Sequence, residues 1–191
     1  APLPAYNKLE SAWWKWALSQ PRDRSPLVDS EGRNCQNGQS LDPRAPFFLA
    51  GVVDQADSGK KITRTCIVPH GRNLFFPVVN LAYFAFPDDP PEQKTEAFIR
   101  AQAAAVEAAT ALSVTIDGSP AAYSLVKSAD IFRVVLPANN IYGLPTGFVF
   151  DPSVDEGYYV GALLLPGVHS IHIQGTLNGF VVDVTYTIIQ T

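Results

Sequence analysis

Residues 178–190 read NGFVVDVTYTIIQ, and this stretch decides the fold class. Apolar residues recur at every second position and mostly polar residues lie between them, which is the pattern of a strand with one buried face. We therefore predict a half-buried β-strand near the end of the chain. Its inward-facing residues are expected to be Phe180, Val182, Val184, Tyr186 and Ile188.

Most other apolar stretches are short and bounded by turn residues. Residues 47–53 and 62–69 predict two strands joined by a turn, and 73–86 is apolar almost throughout, as in a strand covered on both sides. After residue 112 the pattern is strand and turn only. With 191 residues, 16 prolines and 13 glycines, the sequence predicts a single domain over 1–191. Its predicted class is mainly β (α+β), an antiparallel, jelly-roll-like β-sandwich.

Two segments have helical periodicity instead. In residues 7–19, Asn7 is the predicted N-cap and Glu10 follows three residues later, as in a capping box. Residues 92–112 predict a second, alanine-rich helix with acidic residues in its first turn. We expect both helices to pack on the sandwich.

All three tryptophans lie in the first of these helices, within SAWWKWAL at 11–18. Trp13 and Trp16 fall on the inward face, whereas Trp14 points about 100° away because each helical residue turns by that angle. We predict that Trp13 and Trp16 anchor the helix and that Trp14 is free to contact a ligand or a neighbouring subunit.

The charge pattern excludes nucleic acid as a partner. The formal net charge is −4, and no basic cluster is larger than the pair Lys60 and Lys61. The most hydrophobic long stretch, 101–114, is interrupted by Gln102 and Glu107, so no membrane span is predicted. Glycine-rich phosphate loops and serine-nucleophile motifs are missing from the sequence, and we expect no cofactor.

Several features indicate export. The chain has no methionine, and its first residues, APLPAYNK, are typical of a terminus left by signal-peptide removal. We therefore expect a mature secreted, periplasmic or extracellular protein. In that setting Cys35 and Cys66 predict one disulfide, the alternative being two free buried thiols. The disulfide would staple residues 1–46, the first helix and a long polar loop, onto the sandwich.

The order of short motifs resembles an uncharacterised group of small exported bacterial β-sandwich proteins. The motifs are WWKWAL (13–18), FFLAG (47–51), TRTCIVPHG (63–71), FFPVVN (75–80) and GVHSIHI (167–173). The resemblance implies export, a cysteine pair and a mainly antiparallel sandwich. It carries over no activity and no catalytic residues.

Carboxylates gather in DPSVDEGYY, residues 151–159, which we expect to be a solvated turn. Asp151, Asp155 and Glu156 are the calcium candidates there, because oxygen-rich loops supply the ligands that this ion prefers. Their spacing lacks the regular alternation of a calcium-binding loop, so no metal site is predicted.

A catalytic interpretation would use Asp155 or Glu156 with Tyr158 and His169. Carboxylates and a histidine around one substrate can perform acid–base chemistry. His169 and His172 are three apart on a predicted strand and therefore face opposite sides, which argues against one metal ion shared by both.

Aromatic residues offer a binding surface instead. Trp14, Tyr142 and Tyr159 are the ligand-binding candidates, in a groove for a glycan or a peptide, although tyrosines between 142 and 159 also fit a sandwich core.

Two functions from different classes remain open. The first is a secreted, non-catalytic binding or structural module at the cell surface or outside the cell, with a glycan or a protein as partner. Such a module could also self-associate as a homo-oligomer through an edge strand such as the C-terminal one. The second is a hydrolase or lyase acting on extracellular polymers.

Overall fold

The computed structural model describes residues 5–191 and has a mainly β (α+β) fold, as predicted. Two helices accompany two packed sheets. The helices are α1 (Glu10–Ala17) and α2 (Glu96–Ala103). The strands are β1 (Phe47–Phe48), β2 (Ile62–Val68), β3 (Leu74–Phe84), β4 (Thr110–Ile116), β5 (Ser119–Pro120), β6 (Ser124–Lys127), β7 (Phe132–Val135), β8 (Val149–Ala162), β9 (Gly167–Leu177) and β10 (Phe180–Gln190).

The strands divide into two five-stranded sheets. The first sheet has the order β1–β3–β8–β6, with β7 also paired to β8, and the second has the order β2–β10–β9–β4–β5. Most pairings are antiparallel, but β1 runs parallel to β3 and β2 runs parallel to β10. Both sheets are therefore mixed rather than purely antiparallel. Alternation could not reveal this, because it indicates which face is buried and not the direction of the neighbour.

The C-terminal strand β10 has the alternating burial that its sequence predicts. A two-residue turn at Asn178 and Gly179, with φ of 49° and 80°, connects it to β9, as in the tight hairpins that need two positive φ angles. On its other side β10 pairs with β2 over seven residues. The expectation that this strand offers an open edge to a second subunit is therefore wrong.

Strand β3 is covered on both sides along its first half, as its apolar run predicts. Phe76 belongs to the core between the two sheets, whereas its neighbour Phe75 belongs to a second core between the first sheet and α1. Because successive residues of a strand point to opposite faces, one apolar strand serves both cores. The first sheet is thus the middle layer of the molecule.

Helix α1 begins later than the capping-box prediction requires. Leu9 occupies the N-cap position without a side-chain hydrogen bond, and Asn7 lies in the preceding 3-10 turn, Tyr6–Lys8. Glu10 does not reach back to cap the helix, because its side chain is fully buried against the first sheet.

Helix α2 is shorter than the predicted 92–112 segment. The Thr95 side chain caps it by accepting a hydrogen bond of 3.3 Å from the Phe98 amide, and Ala103 ends it. A 3-10 turn, Ala104–Ala108, follows, and Leu112 belongs to β4. Pairing of β4 with β9 outweighs the helix propensity of the alanines, since tertiary context routinely overrides propensity.

The long loop before β1 covers the outer edge of β2. Cys35 and Cys66 form the predicted disulfide, with Cα atoms 6.1 Å apart. The Thr65 amide donates to the Glu31 carbonyl at 2.9 Å. Gly32, at φ 93°, is required here because a Cβ would lie 2.3 Å from the Thr65 carbonyl oxygen. The loop therefore occupies an edge that could otherwise pair with another chain.

Candidate functional site

A cleft of about 480 Å³ opens between the two sheets. Its lining is mostly apolar, and none of its residues is charged. The walls come from α1, the segment after β1, β3, and the hairpin between β9 and β10. The lining residues are Trp13, Trp14, Leu27, Gly51, Val52, Val53, Gln55, Pro77, Val78, Val79, Asn80, Leu81, Ala82, Phe84, Tyr142, Leu177, Asn178, Phe180 and Val182.

The Leu49 amide still donates to the Phe75 carbonyl at 3.2 Å, but beyond it the chain is bound to the second sheet and not to β3, which opens the cleft. Arg64 on β2 donates from Nη1 to the carbonyls of Ala50 (2.8 Å) and Gly51 (2.9 Å). The Tyr186 hydroxyl on β10 donates to the Ala50 carbonyl at 2.6 Å. Since β1 pairs with β3 only at Phe47 and Phe48, the following residues are free to follow the second sheet. A gap remains between them and β3.

Arg64 is the buried centre of this arrangement, with an exposed fraction of 2%. Its remaining bonds reach the Asp29 carbonyl (2.6 Å), the Leu27 carbonyl (3.3 Å) and the Tyr186 hydroxyl (2.8 Å). None of its bonds goes to a carboxylate, so neutral oxygens hold the charge. Sequence reasoning did not assign Arg64 a role, although an arginine at an inward position between Ile62 and Cys66 was the signal.

Strand β3 presents its edge to the cleft. All six residues from 77 to 82 line it, whereas a strand seen face-on would contribute only alternate residues. On the opposite side these residues pair with β8, except Val78 at an irregularity between Pro77 and Val79. On the cleft side β3 has no strand neighbour beyond Phe75 anywhere in residues 5–191. An open strand edge therefore lies inside an apolar cleft.

Helix α1 supplies the aromatic wall. Trp13 donates from Nε1 to the Leu49 carbonyl at 2.9 Å, and Trp14 donates to Asp155 Oδ1 at 2.6 Å. Trp14 is only 7% exposed, so the prediction that it projects freely is wrong. The helix packs against both β7 and β8, which buries its second face as well as its first. Trp14 reaches the cleft only as part of its wall.

Asp155 lies behind this wall and is almost completely buried. Its carboxylate accepts the Trp14 bond and a second one from the Tyr159 hydroxyl at 2.8 Å, and Asn80 Nδ2 donates to that same hydroxyl at 2.8 Å. Burial raises the pKa of Asp155 to about 7, although the bonds from Trp14 and Tyr159 act in the opposite direction. A hydrogen-bonded chain thus joins Asp155 to the cleft through Asn80.

Contrary to the sequence-based prediction, Tyr159 is not placed to contact a ligand in the cleft. Its ring is fully buried and stacks on Phe75 with centroids 4.9 Å apart. Of the other binding candidates, Tyr142 does line the cleft and has an exposed fraction of 39%.

A second buried carboxyl group lies on α1. Both oxygens of Glu10 are buried and have no hydrogen-bond partner within the described chain. Burial, followed by the nearby charge of Asp155, raises the pKa of Glu10 to about 8. Glu156 on β8 raises that pKa too, and Arg100 on α2 lowers it. Glu10 is therefore neutral at moderately acidic pH.

The acidic segment 151–159 is not a solvated turn, because it lies within β8. Asp151 is exposed, whereas Asp155 and Glu156 are buried. Glu156 lies 3.3 Å from Lys127 Nζ, and burial raises its pKa. In the part of the chain that the structure describes, no three His, Cys, Asp or Glu side chains are placed to hold a metal ion.

The candidate catalytic residues are not brought together. Asp155, Glu156 and Tyr158 belong to β8 of the first sheet, and His169 belongs to β9 of the second. Tyr158 is half-buried beside Tyr123, with ring centroids 5.9 Å apart. None of these four candidates lines the cleft.

The two histidines of β9 have separate partners. His169 Nδ1 lies 2.7 Å from Asp117 Oδ2, and this bond raises the pKa of His169. His172 Nε2 lies 2.7 Å from Asp183 Oδ1. The two rings point to opposite faces of the strand, as their spacing predicts.

Comparisons with protein-family models, curated proteins and solved structures found no match. No helix among residues 5–191 is long and apolar enough to cross a membrane.

Proposed function

We propose that this protein is a secreted, non-catalytic binding module whose ligand occupies the cleft between the sheets. The observation that carries the proposal is the cleft itself: about 480 Å³ of mostly apolar, uncharged lining with a few polar groups. Binding sites for small ligands have this size and composition. Gln55, Asn80, Tyr142 and Asn178 are the uncharged polar side chains available for orientation.

One feature of the structure supports export. The Cys35–Cys66 disulfide is typical of proteins from oxidising compartments, and it fixes the loop that covers β2. Of this loop only Leu27 lines the cleft, and neither cysteine does, so the disulfide stabilises the scaffold and does not itself line the site.

The experiment is a fluorescence titration with N-phenylnaphthylamine, an uncharged apolar probe. Trp13 and Trp14 in the wall should transfer excitation energy to the bound probe. Its anionic relative, anilinonaphthalene sulfonate, should bind about tenfold more weakly or worse, because no cation lines the cleft.

The matched variants are Gly51→Phe and Gly51→Ala. Gly51 lines the cleft, and a Cβ there would have no atom within 4 Å, so the phenyl ring can enter the cleft without a backbone clash. Gly51→Phe should abolish probe binding and Gly51→Ala should retain it. Equal binding by wild type and Gly51→Phe, with both folded by circular dichroism, contradicts the proposal.

A further inference from the structure

We infer that the ligand of the cleft is an extended, uncharged peptide segment that adds as a strand to the open edge of β3. The inference rests on the proposed function and names the ligand class of the same site. Its central observation is that residues 77–82 face the cleft edge-on and have a strand neighbour on one side only.

An open edge requires a particular kind of partner. Pro77 has no amide hydrogen, and beyond the irregularity between Pro77 and Val79 every second residue of β3 directs an N–H and a C=O group away from β8. In an apolar cleft such groups are costly to leave unpaired. A compact apolar molecule can cover side chains, but it cannot bond to a row of backbone groups. An added strand bonds to all of them, as in strand-addition complexes.

The walls of the cleft leave a place for that strand. The chain from Gly51 to Val53 would be the natural continuation of β1 alongside β3, but Arg64 and Tyr186 hold its start on the second sheet. Gly51 lines the cleft, and a Cβ built on it would have no atom within 4 Å, so this part of the cleft wall is not filled by other side chains. A peptide would therefore take the position that β1 abandons after two residues.

The lining also restricts the side chains of the peptide. None of the residues around the cleft is charged, so a Lys, Arg, Asp or Glu side chain buried there would have no counter-ion. Alternate residues of a bound strand point to opposite sides. One set would meet Trp13, Trp14 and Phe84, and the other would meet Phe180 and Val182.

The test uses a fluorescein-labelled peptide of alternating valine and threonine, about seven residues long, blocked at both ends. Two matched peptides carry N-methyl groups on the odd or on the even residues, which removes the amide hydrogens of one edge only. Fluorescence anisotropy should show binding of the parent peptide. One methylated peptide should bind at least about tenfold more weakly than the other, because only one edge pairs with β3.

Protein variants and hydrogen exchange complete the test. Gly51→Phe should abolish peptide binding and Gly51→Ala should retain it. The bound peptide should slow amide hydrogen exchange within residues 78–82, and a peptide with a central glutamate should bind at least about tenfold more weakly.

The outcomes separate this inference from the proposed function. If N-phenylnaphthylamine binds in a Gly51→Phe-sensitive manner but the peptide does not, the proposed function stands and the strand-addition inference is overturned. Equal binding of the two methylated peptides also overturns it. If neither probe binds, both the ligand class and the proposed function are wrong.

Discussion

Two buried ionisable side chains lie on opposite sides of the cleft, and their surroundings differ completely. Arg64 donates to five oxygen atoms on the second-sheet side. Glu10, behind the tryptophan wall, has no hydrogen-bond partner among residues 5–191 for either oxygen. Arg64 holds the chain segment that opens the cleft, whereas Glu10 belongs to the helix that closes its other side.

Arg64 and Glu10 illustrate two ways in which a folded protein accommodates a buried ionisable side chain. A guanidinium whose three nitrogens all donate to oxygens fixes the positions of the chain segments that supply those oxygens. A carboxyl group without partners avoids the cost of burial by remaining protonated, so the stability it allows depends on pH.

Replacing Arg64 should cause the largest loss of stability. Arg64→Met keeps the length of the side chain but removes the Arg64 donor from five oxygens, and it should lower the free energy of unfolding by about 3–5 kcal/mol. Urea denaturation measures this. The control is Arg133→Met on an exposed position of β7, which should change stability by less than about 0.5 kcal/mol. Equal losses would show that the carbonyl contacts of Arg64 contribute nothing.

Trp14→Phe tests the hydrogen bonds of Asp155, the buried carboxylate that, unlike Glu10, has side-chain donors. It removes a hydrogen bond to the buried Asp155 and part of a large side chain, and we expect a loss of about 2–4 kcal/mol. Trp16→Phe removes a 2.9 Å bond to the neutral Asn37 carbonyl and should cost less. Thermal unfolding of the two variants at one pH compares them, and a smaller loss for Trp14→Phe would contradict the assignment.

Glu10→Gln should change the pH dependence of stability. The pKa of Glu10 is about 8 in the folded protein against an ordinary value of 4.5. Its contribution to stability is therefore complete below pH 4.5 and is lost as pH rises through about 8. Relative to wild type, Glu10→Gln should gain about 1–3 kcal/mol of stability between about pH 5 and pH 9.

Chemical denaturation at several pH values measures this difference. Asp155 is retained in the variant and continues to contribute in the same direction, because burial raises its pKa as well. Parallel stability profiles for wild type and Glu10→Gln would mean that Glu10 does not titrate in this range.

Arg100→Gln should produce the smallest effect. Arg100 lowers the pKa of Glu10 but is only the fourth contribution to it, after burial, Asp155 and the backbone. Without Arg100 the pKa of Glu10 should rise further above 4.5, so the pH at which the Glu10-dependent loss of stability is complete should move to higher pH. The shift should be under about one pH unit, and combining Arg100→Gln with Glu10→Gln should remove it.

The sequence predicted the strands better than the helices. β10, the doubly covered β3 and the disulfide follow from alternation, apolar runs and cysteine chemistry. The capping box at Asn7 and the helix through Leu112 are wrong, because burial of Glu10 and pairing of β4 with β9 outweigh local preferences.

The site could be predicted only in part. Of the three aromatic ligand-binding candidates, Trp14 and Tyr142 line the cleft and Tyr159 does not, whereas Trp13, predicted only as an anchor of the helix, lines it as well. Neither the cleft nor Arg64 could be located, since both depend on contacts between residues far apart in the chain. Arg64 meets Tyr186, which is 122 residues away.

By itself the sequence determined the fold class, the inward face of the last strand and the covalent link between Cys35 and Cys66. Local periodicity and residue chemistry contain that information. Only the tertiary structure decided that Trp14 is a wall and not a projecting contact, that β10 is internal, and that β3 keeps an open edge inside a cleft. These properties depend on which strands become neighbours, and neighbours are chosen by packing over the whole chain.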